Sequence, residues 1–233
     1  MNVLNNIVAD KHKEVALKKT LIPVSQLEAS VLFERKTLSL SQKLRNSNSG
    51  IIAEHKRRSP SKAVINQNHS VFDVVNGYEN AGVCGISVLT DGKYFGGSLD
   101  DLLLARASVE IPLLRKEFII DEYQILEAKA HGTDVILLIA AILSREEIRS
   151  LSTFAKSIGL EVLLEVHNEE ELQKSIMPSL DMLGVNNRNL KTFEVSLDTS
   201  KVLSTAIPDD FVKVSESGIS HVEAIKDLQQ YGY

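Results

Sequence analysis

Cysteine is almost absent from this chain, and the one present, Cys84, lies in an apolar stretch beside Val83 and Ile86. No intrachain disulfide can form, a buried structural thiol is expected, and a reducing compartment fits such usage. A continuous apolar run of signal or membrane length is also missing, since the N-terminus mixes Leu4, Ile7 and Val8 with Lys11, His12 and Lys13. The expectation is a soluble cytoplasmic protein with no membrane partner. Positive charge is not in excess either: 26 basic residues against 31 acidic ones leave a net charge of -5, the wrong sign for a general nucleic-acid surface. The histidines, at positions 12, 55, 69, 131, 167 and 221, have no paired spacing and no cysteine partners, so no metal site is expected.

What is present is a chain of 233 residues, 43% apolar, enough for one sizeable core. From residue 51 onward, short runs rich in Val, Ile and Leu alternate with amphipathic stretches, as in a parallel sheet covered by helices. The runs are 51–55, 84–89, 113–118, 134–140, 160–166, 181–186 and 211–215. Helix-start signals follow: Ser144 with Glu147, Ser220 with Glu223 and Asp121 with Gln124 resemble capping boxes, and Asn168 opens an acidic first turn. Gly132 and Gly159 stand where helices should stop. Repeated strand, cap, helix and glycine units predict an α/β fold, a (β/α)8 TIM barrel, with a doubly wound open sheet as the alternative. Residues 1–50 read as a helical extension packed on the barrel of residues 51–233. Its first helix ends before Pro23, and shorter ones are expected at 24–32 and 38–44.

Polar side chains collect at the ends of these runs: Glu54 and Lys56 on the first, Lys116 on the third, Glu165 on the fifth, Asn186 on the sixth and Glu216 just past the seventh. Residues two apart share a face of a strand, so Glu54 pairs with Lys56, Lys116 with Phe118 and Asn186 with Arg188. Taken alone, Glu54 to Lys62 is equally a surface salt bridge and a solvated basic turn. A barrel, however, gathers all C-terminal strand ends on one face, where lysines and carboxylates together supply acid and base. Lysines crowded there are expected to titrate below their ordinary range. The basic, serine-containing loop after Lys56 suits a phosphate, and the glycine-rich loop 91–98 reads as a flexible cover.

The strings IIAEHKRRSPSK, GISVLTDGKYFGGSLDDL, LLRKEFIID, LLEVHNEEEL, LGVNNRNLKTFEV and VSESGIS occur in this order. On them the chain resembles the indole-3-glycerol-phosphate synthase family over nearly its whole length. The resemblance implies a cofactor-free ring closure of 1-(2-carboxyphenylamino)-1-deoxyribulose 5-phosphate, with loss of carbon dioxide and water. It implies Lys116 as general acid at the ketone oxygen, Glu165 as general base, Lys56 on the anthranilate carboxylate and Glu54 positioning Lys56. Asn186 and Arg188 would orient the anthranilate part, Glu216 would complete the polar network and Phe118 would line the aromatic pocket. Ser59, Ser217 and Gly218 would meet the phosphate of the small-molecule substrate. Another phosphate-binding barrel, such as phosphoribosylanthranilate isomerase, and a non-catalytic phosphate-binding barrel are the rival readings.

Two departures from the family pattern stand out. Ala63 replaces the usual glycine after SPSK, and the sequence stops at Tyr233, where an eighth strand is expected to begin. The expectation is then a barrel lacking its eighth strand and helix, with unpaired edges, low stability and a tendency to self-associate, where a complete chain would be a monomer. Part of the phosphate grip is expected to be lost with them, each charge-assisted hydrogen bond being worth about 1.5 to 3 kcal/mol.

Overall fold

A computed structural model describes residues 3–60, 62–190 and 192–233; Ser61 of the basic loop lies outside them. Helices α1 (Val3–Leu21), α2 (Val24–Glu28) and α3 (Leu40–Arg45) come first. The alternation follows as β1 (Ile52–His55), α4 (Val71–Asn80), β2 (Gly85–Leu89), α5 (Gly92–Phe95), α6 (Leu99–Ser108), β3 (Leu113–Lys116) and α7 (Glu122–Ala130). It continues as β4 (Val135–Ile139), α8 (Arg145–Ser157), β5 (Glu161–Val166), α9 (Glu169–Ser175), β6 (Met182–Asn186), α10 (Asp198–Ser204), β7 (Val212–Glu216) and α11 (Val222–Gln229). Every expected run holds a strand, with bounds shifted by a residue or two.

The strands form one parallel sheet in chain order, β1 to β7. Alternation along each strand sorts the side chains into two cores. Cys84, Leu114, Val135, Leu137, Leu163 and Met182 point inward and pack with Leu40 of α3. Ile86, Val88, Leu113, Ile136, Leu164 and Val185 point outward under the helices. The sheet is curled. At about 4.8 Å per strand, β3 and β7 would stand roughly 19 Å apart in a flat sheet. Instead Lys116 at the end of β3 makes an ion pair with Glu216 at the end of β7.

Helix α3 closes the N-terminal end of the strands. Ser39 caps it, and Ser39 Oγ and Ser41 Oγ donate to Glu161 at 2.5 and 2.7 Å. Ahead of it, Leu38 N–H donates to Asp134 at 2.7 Å. Helix α1 lies along α7, where Val15, Leu27, Tyr123, Leu126 and Ala130 make a small core. Pro23 ends α1 and caps α2, which is shorter than expected and gives way to turns.

The helix caps match the sequence signals unevenly. Ser144 and Glu147 form a complete capping box, and Asn168 accepts from Glu171 N–H. Asp121 caps α7 through Tyr123 N–H, while Gln124 turns away to Ile120 N–H and Phe118 O, so no box closes there. Ser220 is not a cap at all. The chain stays extended through His221 (φ -152°), which becomes the cap position, and Ser220 Oγ lies 3.0 Å from His221 Nδ1. Gly132 and Gly159, both at φ +80°, turn the chain at the ends of α7 and α8 as expected.

Candidate active site

The curl brings the C-terminal strand ends around a cavity of about 920 Å³. Glu54, Lys56, Ser59, Lys116, Phe118, Glu165, Asn186, Arg188, Glu216, Ser217 and Gly218 all line it, although they come from five strands and the segments after them. Inward alternation explains each strand position. Glu54, Lys116, Glu165, Asn186 and Glu216 continue the inward faces of β1, β3, β5, β6 and β7, one layer above Ile52, Leu114, Leu163, Gly184 and Val214. Gly184 leaves room for the Glu216 carboxylate: an added Cβ would meet Glu216 Oε1 at 2.6 Å and push it aside.

Lys116 stands at the centre. Its ammonium lies 3.0 Å from Glu165 Oε2 and in direct contact with Glu216 Oε2. Lys56 pairs with Glu54 beside it. Asn186 Nδ2 donates to Glu165 Oε1 at 3.1 Å, and Asn186 Oδ1 accepts from Arg188 N–H at 3.0 Å. Arg188 turns its guanidinium toward Phe193 O, at 3.3 Å, within its own loop.

The expectation of a lysine with lowered pKa is overturned at Lys116. Burial pulls the ammonium down, but the carboxylates of Glu216, Glu165 and Glu54 outweigh it and hold the group well above its ordinary range. Glu165 is the mirror case: burial pushes it up, while Lys116 and His167 hold it well below the usual carboxylate range. Glu216 absorbs the imbalance. Burial, reinforced by Glu165 and Glu54 and opposed by Lys116, pushes it up to about 7. Glu54 has Lys56 and Glu165 has His167, so the proton settles on Glu216, the carboxylate with least help.

At the far rim, β7 runs into Ser217 (φ +69°) and Gly218 (φ +79°). Two consecutive left-handed residues turn the chain sharply at the cavity wall, and glycine at the second lets a ligand approach the backbone closely. The turn is braced from below: Asn187 Nδ2 donates to Ser215 Oγ at 2.9 Å and to Ser217 O at 3.2 Å, and Asn187 Oδ1 accepts from Ser200 Oγ at 2.8 Å. In the loop after β1, Ser59 is held by a backbone bridge to Lys62.

Sequence reasoning misjudged two loops. Arg57 and Arg58 do not stand free for an anion. Arg57 pairs with Asp101 and donates to Gly96 O at 3.1 Å, while Arg58 donates to Gly92 O at 2.8 Å and Lys93 O at 3.0 Å. The glycine-rich segment is correspondingly a tethered helical turn rather than a loose cover. Asp91 caps it, Asp10 of α1 holds Lys93 and Tyr94, and Gly97 packs where a Cβ would meet Leu89 O at 2.0 Å. This turn presents Phe95 to Phe118, ring centroids 5.9 Å apart, and completes an aromatic wall. Sequence reasoning gave Phe95 and His167 no place in the site. A strand-parity argument extended two residues past Glu165 finds His167; nothing local points to Phe95.

The family model described as indole-3-glycerol phosphate synthase matches residues 4–233. Among curated proteins, the indole-3-glycerol phosphate synthase of Bacteroides thetaiotaomicron is 47% identical over 232 residues, covering 100% of this chain and 89% of that protein. That of Dechloromonas aromatica is 41% identical and covers 96% of this chain and 87% of the relative. Solved structures share the fold at low identity. Methylornithine synthase superposes with a TM-score of 0.58 at 12% identity, over 86% of this chain and 82% of that one. A tryptophan synthase complex from Pyrococcus furiosus gives 0.56 at 15%, over 78% and 83%.

Proposed function

The chain belongs to the indole-3-glycerol phosphate synthase family, carboxy-lyases of tryptophan biosynthesis, and on that premise we propose how its own residues carry the reaction. The observation that carries the reading is Lys116, held protonated between Glu165 and Glu216 at the mouth of an aromatic-walled cavity. The substrate is 1-(2-carboxyphenylamino)-1-deoxyribulose 5-phosphate. Lys116 protonates the ketone oxygen as the ring carbon bearing the carboxylate attacks the ketone carbon. Loss of carbon dioxide then restores the aromatic ring. Glu165 takes a proton from the new ring while the hydroxyl leaves as water on a second proton from Lys116, which Glu216, in contact with it, has recharged.

Lys56, steadied by Glu54, receives the anthranilate carboxylate. Phe118, backed by Phe95, stacks on its ring, while Asn186 and Arg188 fix its orientation. Ser59, Ser217 and Gly218 hold the phosphate. Residues 1–50 act as part of the same unit, because α1 contributes Leu4 and Ile7 to the cavity wall. No helix among the described residues is long and apolar enough to cross a membrane, and with the lone cysteine this supports a cytoplasmic setting.

The test is indole fluorescence growth on the aryl-amino ribulose phosphate. The parent is expected to turn over, and Lys116→Ala to lose about 10²- to 10⁴-fold in kcat. A parent that binds the substrate without fluorescence growth points to a binding module, and Lys116→Ala at the parent rate removes the acid assignment.

A further inference from the structure

We propose that His167, seated on Glu171, is a positioning residue that keeps the Glu165 carboxylate ionised and aimed at Lys116. The proposal rests on Glu165 as the general base. His167 follows Glu165 by two residues, so it continues the inward face of β5 just past the strand's end. Its side chain is only 8% exposed. Nδ1 lies 3.1 Å from Glu171 Oε2, and the same oxygen accepts the His167 backbone N–H at 2.8 Å. Glu171 is itself fixed, with Oε1 3.1 Å from Asn168 Nδ2 and its N–H on Asn168 Oδ1 at 2.9 Å. The ring is therefore locked by the first turn of α9. Its other nitrogen, Nε2, then falls 3.3 Å from Glu165 Oε1, an ion-pair contact rather than an aligned hydrogen bond.

With Nδ1 bonded to one carboxylate and Nε2 facing another, the ring is held as an imidazolium whose charge lies against Glu165. Burial opposes the charge, but Glu165 and Glu171 outweigh it and push the group up to about 9. The facing charges are Glu165 on β5, Glu171 and Lys174 on α9 and, beyond Glu165, Lys116 on β3 and Glu216 on β7. Lys174 is committed to Ala140 O and Leu143 O, at 2.7 and 3.0 Å.

Charge sharing gives His167 its role. Without it, Glu165 keeps Asn186 and a lysine shared with Glu216 and Glu54. The proton that now rests on Glu216 would then spread to Glu165, and a protonated carboxyl is no base.

The experiment compares the parent, His167→Ala, His167→Gln and Glu171→Gln in kcat, KM and the pH profile of kcat, with a parallel NMR titration of the labelled imidazoles. His167→Ala is expected to lose about tenfold in kcat with little change in KM, and its acid limb to move up by about one pH unit. His167→Gln, which keeps a donor without charge, is expected to regain rate but not the acid limb. In the parent, the His167 imidazole is expected to hold its proton to about pH 9, and in Glu171→Gln to titrate closer to 6.5. Parent kcat and parent profile in folded His167→Ala overturn the proposal, as does a His167 that titrates at the ordinary value in the parent. If the parent itself produces no fluorescence, the assigned reaction has failed, and the NMR titration alone decides whether His167 is the cation on Glu165.

Discussion

At the N-terminal ends of the strands, buried and half-buried carboxylates are saturated with donors; at the C-terminal ends, Glu54, Glu165 and Glu216 crowd around Lys116 and one of them is left short. Asp134 accepts from Leu38 N–H, Leu113 N–H, Arg35 and Arg106. Glu161 accepts from Ser39, Ser41 N–H and Ser41 Oγ, and Asp181 from Val162 N–H and Lys156. Glu216 leaves Oε1 buried with no hydrogen-bond partner among the described residues, and its other oxygen shares Lys116 with Glu165. A saturated carboxylate ties the strand ends to the segments packed beneath them. An undersupplied one keeps a proton within reach of neutral pH, which stability does not require and proton transfer does.

The strongest way to break this contrast is Asp134→Ala. It leaves Arg35 and Arg106 without their shared anion, so unfolding free energy is expected to drop by about 3 to 5 kcal/mol. Turnover per folded molecule should hold at the parent value. Urea unfolding and kcat on the same preparation check this; a variant as stable as the parent means that the saturated end contributes nothing.

Glu216→Gln sharpens the opposite end. The folded-state value of Glu216 is raised from 4.5 to about 7, so between those pH values the native state keeps a proton that the unfolded chain has lost. The parent therefore loses stability from this group as pH climbs through that window, and the glutamine variant does not. The variant-minus-parent difference is expected to grow by about 2 to 3 kcal/mol from pH 4.5 to pH 7.5. Unfolding at both pH values measures it, and a pH-independent difference places the proton elsewhere.

The smallest expected effect lies outside both clusters. His55 is 2% exposed, and neither ring nitrogen has a hydrogen-bond partner among the described residues. Burial, aided by Arg57, holds its imidazole below 6.5. The unfolded chain gains a proton first as pH falls, so this group lowers stability below pH 6.5 and has no such effect above it. His55→Leu is expected to gain about 1 kcal/mol at pH 5.5 and less at pH 8. Thermal melts at the two pH values that show a loss at both mean that the ring packs better than leucine.

Much of the fold is readable residue by residue. Val, Ile and Leu runs, the Ser144 box and the glycines at 132 and 159 depend on neighbours a few positions away, and each lies where the pattern puts it. Inward and outward faces follow from alternation alone, which is why the residues ending the strands converge as expected on one cavity. The misreadings at the two loops concern partners distant in sequence, and those at the caps concern the local path of the chain. Arg57 finds Asp101, the glycine-rich turn finds Asp10, and Ser220 loses its capping role to the extended path leaving Gly218.

The sequence by itself determined which residues stand at the strand ends and which way they face, because a period of two is a local property of the backbone. Only the curled sheet decided how three carboxylates and one central ammonium divide their protons. Coulomb energies depend on distance and burial, and both are set when β3, β5 and β7 meet across the barrel rather than along the chain.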